Sequence, residues 1–325
     1  MGTAIEIRRR LKARAADLGL DFQQAVLYYA MERFLFRLSL TPWSERLVVK
    51  GAVMLRVWDA GVARPTRDID FLGRVENTPG AIRDIVAECL SVQLDDGLAF
   101  ESEIHAEPIA IDERYPGVRA KVAGDLGGAR FVLRLDVGID DAVVPDPCWV
   151  DYPVLLQDEA PRILAYQPAT AVAEKFQAMI EIGLTNSRMK DYHDIWLLSR
   201  TLGFAGQDLA DAIRATFDRR GTEIPFEMPA ELTPEYTAQP EIARMWDTYR
   251  KRFGGLGDDL PEELQDVAYA IAAFVMPAAI AARRGEQFES RWTIGEGWKP
   301  KGRPPRSRAG GCSTSANGLP EGRPS

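Results

Sequence analysis

The sequence predicts a mixed α/β (α+β) fold, in which a small mixed sheet lies between N-terminal helices and a helical C-terminal half. Apolar side chains recur every four residues from Phe22 to Phe34, which is typical of an amphipathic helix. Polar and apolar residues alternate over residues 68–72 and 131–137, as they do in half-buried strands. Helical patterns then occupy most of the chain after Pro168.

The boundaries of the first elements follow from local signals. Pro42 ends the N-terminal helical zone, because a proline cannot continue a helix. Residues 47–49 predict a short strand, and Gly51 directly after it precedes a helical run over residues 52–58. Residues 59–66 predict a loop that leads into the strand at residue 68.

Three helices are predicted in the C-terminal half. The first covers about residues 169–183, and the second begins near Ser187, which is a suitable N-cap, and ends near Leu202. The third contains residues 267–282, an apolar stretch that is short for a membrane span and includes Pro277. We interpret this third helix as buried in the core.

The chain divides into four segments, which we expect to form one integrated body. They are an N-terminal helical segment over residues 1–45, a core of strands and helices over 46–150, a helical region over 151–294 and a basic tail over 295–325. The tail is rich in Gly, Pro, Ser and Arg, a composition that predicts disorder.

Composition excludes several classes of protein. With 325 residues, the chain can bury a large core without disulfide or metal scaffolding. Three dispersed cysteines and two histidines exclude a disulfide framework, a cysteine-based zinc site and a multi-histidine metal site. Residues 299–325 carry six Lys or Arg and one Glu, so the net charge of −8 leaves −13 on residues 1–298. Such a body does not bind nucleic acid by bulk charge, although a local basic surface remains open.

The N-terminus is charged and lacks the apolar stretch of a signal peptide. We therefore expect a cytoplasmic protein with no membrane partner.

Two carboxylates are the first candidates for chemistry. Asp68 and Asp70 alternate with Ile69 on a predicted strand, so both carboxylates point to the same face. Paired carboxylates of this kind suit Mg²⁺ or Mn²⁺. The alternative is two solvated acids on an edge strand. Asp136 lies on the polar face of a later strand, and it would complete a set of three carboxylates if the two strands were neighbours.

A glycine turn precedes this pair. Lys50, Gly51 and Ala52 connect a strand to a helix, where a glycine lets backbone N–H groups approach a phosphate. The alternative is a tight turn that simply requires glycine.

Further candidates lie on two predicted helices. Lys175 has no acidic neighbour three or four residues away, so it either extends to water or pairs with an anion elsewhere in the fold. Asp191 and Asp194 share one face of the next helix. Local explanations exist for both: carboxylates are favoured near a helix start, and Lys190 and Arg188 are at pairing distance along the chain.

Several blocks of sequence together resemble a known family. They are LVVKGAVMLRVW, RPTRDIDFLG, LRLDVGIDDAVVP, YPVLL, ILAYQPATAVAEKFQAMIEIGLTNSRMKDYHDIWLL and AIRATFDRRGTEIP. In their order and spacing they resemble the AbiEii/AbiGii-type nucleotidyltransferases, the toxins of type IV toxin–antitoxin systems in the DNA polymerase β-like superfamily. The resemblance covers roughly residues 20–250, and the blocks around Lys175 and Asp191 make it specific.

The resemblance implies roles for individual residues. It implies that Asp68, Asp70 and Asp136 hold the metal and that Lys175 and Asp191 complete the catalytic set. The residues that it places at the nucleotide are listed here: Lys50, Gly51, Ala52, Thr66, Lys175 and Asp194. Ala52 stands where relatives carry Gly or Ser, which could weaken a phosphate contact. Thr66 could instead order the turn before the strand.

The resemblance also implies an activity. An NTP would donate its nucleoside monophosphate to an acceptor hydroxyl, with RNA, and in particular a tRNA 3′ end, as the expected acceptor. Growth arrest or phage defence would be the outcome, and a neighbouring gene would encode an antitoxin. The alternatives are a protein hydroxyl as acceptor and a catalytically idle relative that acts by binding a partner.

Overall fold

A computed structural model describes residues 3–58, 64–109, 117–156, 159–185, 187–252 and 260–300. Ten α-helices lie within these residues. They are α1 Ala4–Asp17, α2 Phe22–Ser39, α3 Met54–Val57, α4 Pro79–Ser91, α5 Pro168–Ile182, α6 Met189–Thr201, α7 Gly206–Arg220, α8 Pro234–Thr237, α9 Pro240–Lys251 and α10 Leu264–Arg284. Four short 3₁₀ helices accompany them at Pro42–Glu45, Gly51–Val53, Gly183–Thr185 and Ala230–Leu232.

Ten strands are described. They are β1 Leu47–Lys50, β2 Asp68–Gly73, β3 Leu98–Ile109, β4 Gly117–Leu126, β5 Ala129–Gly138, β6 Cys148–Asp151, β7 Arg162–Ala165, β8 Phe204–Ala205, β9 Ser290–Thr293 and β10 Gly297–Pro300. The first seven form one sheet in the order β3-β4-β5-β2-β1-β7-β6, and the last three form a second sheet in the order β10-β9-β8.

The mixed α/β class predicted from the sequence is confirmed. In the main sheet, β2 pairs with β5 and β1 pairs with β7 in parallel, and the remaining pairs are antiparallel. The sheet is larger than predicted, because the long hairpin of β3 and β4 adds two strands at one edge and β6 and β7 add two at the other. The second sheet is also beyond the prediction.

Two hydrophobic clusters bury most of the apolar side chains. The first lies between the main sheet and α1, α2 and α4, where Phe34 of α2 is 1% exposed. The second unites α5, α6, α7, α9 and α10, with Phe176 and Trp246 among its buried aromatic residues. The sheet that carries the candidate carboxylates is therefore held from one side by the N-terminal helices, and α5 and α6 belong to a separate core.

The starts of α2 and α6 differ in how they are capped. Asp21 caps α2 by accepting hydrogen bonds from the backbone N–H groups of Gln23 and Gln24. Ser187 does not cap α6, contrary to the prediction, because the residue before the helix is Arg188. The Arg188 side chain makes no capping hydrogen bond, and its guanidinium instead pairs with the Asp191 carboxylate of the first turn at 2.9 Å.

α10 extends over 21 residues and is long and apolar enough to cross a membrane by length and composition alone. Most of it is buried: Ile271, Phe274 and Val275 are each 0% exposed, and they belong to the second hydrophobic cluster. Burial of this kind is typical of a core helix, in agreement with the prediction for residues 267–282.

Ordered structure continues beyond residue 295, where the sequence analysis placed the start of a disordered tail. β10 pairs with β9, and the Trp298 indole donates a hydrogen bond to the carbonyl oxygen of Phe274 in α10 at 2.9 Å. The start of the tail was therefore placed too early, because two tryptophans of this hairpin pack on the core. Residues 301–325 lie outside the described residues.

Candidate active site

The candidate site is a cavity of about 420 Å³ between the main sheet and helices α5 and α6. The strands β1, β2 and β5 contribute one wall, and α5 and the first turn of α6 contribute the other. Seven of the residues predicted from the sequence line this cavity. They are Lys50, Gly51, Ala52, Asp70, Asp136, Lys175 and Asp191.

Two carboxylates face each other across neighbouring strands. Asp70 of β2 and Asp136 of β5 are direct partners in a parallel pair, so the two strands are neighbours, which was the condition for a set of three carboxylates. Burial raises the pKa of Asp70 to about 6; Lys50 opposes this shift, and Asp136 and Asp68 add to it. A cation near Asp70 would relieve this cost of holding negative charge in the cavity.

Asp136 and Asp68 each lie near an arginine. Arg119 of β4 donates two hydrogen bonds to the Asp136 carboxylate, at 2.8 and 2.6 Å. Arg134 of β5 approaches Asp68 at 3.8 Å, and Asp68 Oδ1 is buried with no hydrogen-bond donor among the described residues. In the described part of the chain, no group of three or more His, Cys, Asp or Glu side chains is arranged to hold a metal ion.

Gly51 brings the turn after β1 against Asp70. Its φ is +75°, a left-handed conformation that favours glycine. A Cβ at this position would lie 1.9 Å from Asp70 Oδ2 and 2.7 Å from its Cγ. The backbone therefore needs glycine here both for its conformation and for its approach to the carboxylate. Ala52, the next residue of the turn, is buried, with 4% of its surface exposed.

Lys175 points to two carboxylates of α6. Its Nζ lies 2.7 Å from Asp194 and 3.1 Å from Asp191. Arg64, in the segment before β2, donates two further hydrogen bonds to Asp194, at 2.7 and 2.9 Å. Of the two explanations for Lys175, pairing with an anion elsewhere in the fold is therefore the one observed.

Lys175 and Asp194 remain charged although both side chains are buried. Burial by itself would lower the pKa of Lys175, but Asp194 and Asp191 outweigh it and the pKa is raised. Burial by itself would raise the pKa of Asp194, but Lys175 and Arg64 outweigh it and hold the pKa well below its usual range. Arg188 is the third cation of the network and the second that pairs with Asp191. The cavity thus presents a buried, permanently charged ammonium.

A second ionic cluster lines the cavity around Lys50. The Lys50 ammonium pairs with Asp141 and with Glu174, the latter at 3.3 Å. Arg220 of α7 joins Asp141 at 3.0 Å. Burial would lower the pKa of Lys50, but the two carboxylates raise it above its usual range. Tyr166 places its ring 5.4 Å from the Lys50 ammonium.

Three further predicted residues do not line the cavity: Asp68, Thr66 and Asp194. Asp68 lies two residues before Asp70 on β2. Asp194 lies behind Lys175 and does not line the cavity, so it reaches the site only through the cations that it holds. Thr66 donates a hydrogen bond from its hydroxyl to the carbonyl oxygen of Asp68 at 3.2 Å. Its hydroxyl therefore orders the turn before β2, as in the alternative given for this residue.

Sequence reasoning missed several residues that shape the site. They are Arg64, Arg119, Asp141, Tyr166, Glu174 and Arg220. Arg64 and Glu174 stand inside the blocks RPTRDIDFLG and AVAEKF, so the signal was present although neither residue was singled out. Arg119 lies on a strand that was not predicted, and its contact with Asp136 follows only from the register of β4 on β5.

Two solved structures from Helicobacter pylori resemble the chain. One is described as a candidate nucleotidyltransferase; it has a TM-score of 0.46 and 16% identity, over 82% of this chain and 97% of that chain. The other, JHP933, has a TM-score of 0.48 and 15% identity, over 82% of this chain and 94% of that chain. These likenesses are too distant to assign an activity. No curated protein matches the chain.

A family model gives a firmer result. The model described as nucleotidyl transferase AbiEii toxin, type IV TA system, matches residues 33–273. The match spans most of the chain and includes the strands and helices that surround the cavity. The chain therefore belongs to the AbiEii family of nucleotidyltransferase toxins of type IV toxin–antitoxin systems, and it is a transferase.

Proposed function

We propose that the protein transfers a nucleoside monophosphate from an NTP to a hydroxyl of an RNA acceptor, in a reaction that depends on a divalent metal. One observation supports this most strongly. The paired carboxylates Asp70 and Asp136 and the buried cation Lys175 line one cavity, beside the Gly51 turn. Carboxylates for a metal, a lysine for phosphate charge and a close backbone approach are what phosphoryl transfer requires.

The residues present suit a divalent cation. Asp68 Oδ1 has no hydrogen-bond donor among the described residues, and burial raises the pKa of Asp70. A bound cation would therefore stabilise the charged form of both carboxylates. Mg²⁺ or Mn²⁺ would be held by Asp68, Asp70 and Asp136, and Asp136 would exchange its contact with Arg119 for this purpose. When bound, the metal ion supplies neutralisation of the triphosphate charge.

The chain's own residues then position the reactants. Lys175 donates hydrogen bonds to the triphosphate, and Asp191 and Asp194 keep its ammonium aimed into the cavity. The backbone at Gly51 approaches the phosphates from the sheet side. The acceptor hydroxyl loses its proton to solvent, its oxygen forms a bond to the α-phosphorus, and the bond to the leaving pyrophosphate breaks.

Membership of the family supports the biological part of the proposal. A toxin of a type IV system implies an antitoxin partner, and we propose that its target is an RNA such as a tRNA 3′ end. NTP and tRNA occur together in the cytoplasm, which is where we propose that the reaction takes place. Growth arrest would follow from the modification of this RNA.

Transfer of labelled nucleotide tests the proposal. The protein is incubated with Mg²⁺, total tRNA and each α-³²P NTP in turn, beside the Asp68→Ala/Asp70→Ala variant. We expect label on RNA with the native protein alone, and the labelled NTP identifies the substrate. Label on protein in place of RNA would move the acceptor to a polypeptide hydroxyl. No label with any NTP, from a folded sample, would refute the transfer.

A second candidate function is partner binding by an idle relative. The ion pair between Arg119 and Asp136 favours it, because this contact engages both oxygens of one metal-binding carboxylate. An idle protein would bind a partner without turnover. A rise in melting temperature with NTP and Mg²⁺, together with label transfer, would exclude this function, since a ligand stabilises the state that it binds.

A further inference from the structure

A second cavity, of about 670 Å³, lies between the start of α6 and helix α9. Arg188 and Lys190 line it, and both residues also line the catalytic cavity. The two cavities therefore meet at this pair of cations. We call the second cavity the α6–α9 groove, and its position gives a path from the surface to the paired carboxylates.

The α6–α9 groove is positively charged. Arg244 and Arg252 line it from the α9 side, and with Arg188 and Lys190 they give four cations. Among the described residues that line the groove, Glu241 is the one acidic residue, and it pairs with Arg244 at 3.1 Å. Arg188 is paired with Asp191, which does not line the groove. The chain as a whole carries a net charge of −8, so this local excess of positive charge favours a polyanion.

The ion pair of Arg244 on α9 can be exchanged for a contact with a phosphate. The side chains of Arg244 and Glu241 are 74% and 65% exposed, and an exposed ion pair of this kind contributes little to stability. A phosphate can therefore replace Glu241 at Arg244 at little cost. Lys190 is exposed and forms no ion pair with any residue that the structure describes.

Apolar groups lie among these cations. Met245 is 42% exposed, and Tyr249 also lines the groove. The Tyr249 hydroxyl and the His193 ring share a hydrogen bond of 2.9 Å, which fixes the tyrosine ring in place. Grooves that bind single-stranded nucleic acid combine cations for the backbone with apolar or aromatic surfaces for the bases.

We propose that the α6–α9 groove binds the single-stranded end of a polynucleotide acceptor and leads its terminal hydroxyl to the catalytic cavity. This inference rests on the proposed nucleotide transfer and adds the route of the acceptor. The groove has a volume of about 670 Å³, in the range of small-molecule pockets, which suits the unpaired end of a strand. The favoured occupant is a polynucleotide and not an acidic polypeptide, because the cations adjoin the site at which an acceptor hydroxyl must react.

Fluorescence anisotropy with a short labelled single-stranded RNA tests the groove without any chemistry. The Arg244→Gln/Arg252→Gln variant removes two groove cations and leaves the catalytic cavity intact. The Arg200→Gln/Lys251→Gln variant is the matched control, because it removes two exposed cations of α6 and α9 that do not line the groove. Melting temperatures with and without NTP and Mg²⁺ are measured for both variants.

We expect the groove variant to weaken RNA binding about tenfold and to lower the slope of log affinity against log salt by about 1.4, the value for two lost phosphate contacts on a single strand. The control should bind RNA like the native protein. Equal RNA binding by the two variants would overturn the inference. So would a poly-glutamate peptide that binds the groove when the RNA does not.

The outcome is separable from that of the proposed function. Loss of RNA binding in the groove variant, with no transfer from any NTP by the native protein, would support the groove and refute the transferase reaction. Transfer to RNA that is unaffected by the groove variant would support the reaction and place the acceptor elsewhere.

Discussion

Gly51 offers a sharp test of the site, since its hydrogen atom faces Asp70. In Gly51→Ala, the new Cβ would lie 1.9 Å from Asp70 Oδ2, 2.7 Å from Cγ and 2.9 Å from Cβ. Rotation of the carboxylate cannot relieve the contact with the Asp70 Cβ, because that atom is fixed by the strand. Asp70 or the turn after β1 must therefore move.

Gly221 is the matched control, because it also has a positive φ, +61°, and a Cβ there would have nothing within 4 Å. Gly221→Ala should cost about 1–2 kcal/mol, the strain of a left-handed residue with a Cβ. Gly51→Ala carries the same strain and adds about 1–3 kcal/mol of overpacking against Asp70. We expect it to be the less stable of the two by that amount.

The assay is the free energy of unfolding in urea for both variants, with label transfer from NTP measured in parallel. Gly51→Ala should also lose transfer activity, because a displaced Asp70 cannot hold its place beside Asp136. Gly221→Ala should keep it. If Gly51→Ala were as stable as Gly221→Ala and remained active, the close packing of the turn on Asp70 would be refuted.

Further predictions concern buried ionisable groups. Asp194→Asn should destabilise the protein by about 3–5 kcal/mol and abolish transfer, because it leaves the charges of Lys175 and Arg64 without a buried partner; an active variant of native stability in urea would contradict this. Burial lowers the pKa of His193 from 6.5 to about 4, so the unfolded chain binds a proton that the folded protein rejects between these pH values. Stability is therefore highest above pH 6.5 and should fall by about 3 kcal/mol as the pH drops to 4. His193→Gln should remove this contribution and His105→Gln should keep it; identical pH profiles for the two variants would show that His193 is not responsible.

Sequence patterns predicted those parts of the fold that depend on local alternation or periodicity. The strands β1, β2 and β5 and the helices α2, α5, α6 and α10 agree with such patterns. β3 was missed because it is an edge strand whose exposed and half-buried residues alternate poorly, with a shift of register between Phe100 and Ile104. β9 and β10 were missed because glycine-rich sequence near residue 295 suggested disorder, although it forms a hairpin turn.

The site was predictable where one strand or helix carries the residues concerned. Asp68 and Asp70 share a strand face, and that spacing is visible in the sequence. No local pattern shows the pairing of Lys175 with Asp191, since Asp191 lies sixteen residues later on another helix, and only the family resemblance placed the two residues together. Contacts such as Arg119 with Asp136 depend on strand register, which no local pattern specifies.

The central claim is that one cavity holds both the metal carboxylates Asp70 and Asp136 and the phosphate-binding Lys175. A crystal structure with Mn²⁺ and a non-hydrolysable NTP analogue, with anomalous data at the manganese edge, tests it most directly. We expect manganese beside Asp68 and Asp70, the Asp136 carboxylate turned from Arg119 toward the metal, and the triphosphate against Lys175. Manganese or nucleotide bound outside this cavity, with Asp136 still held by Arg119, would contradict it.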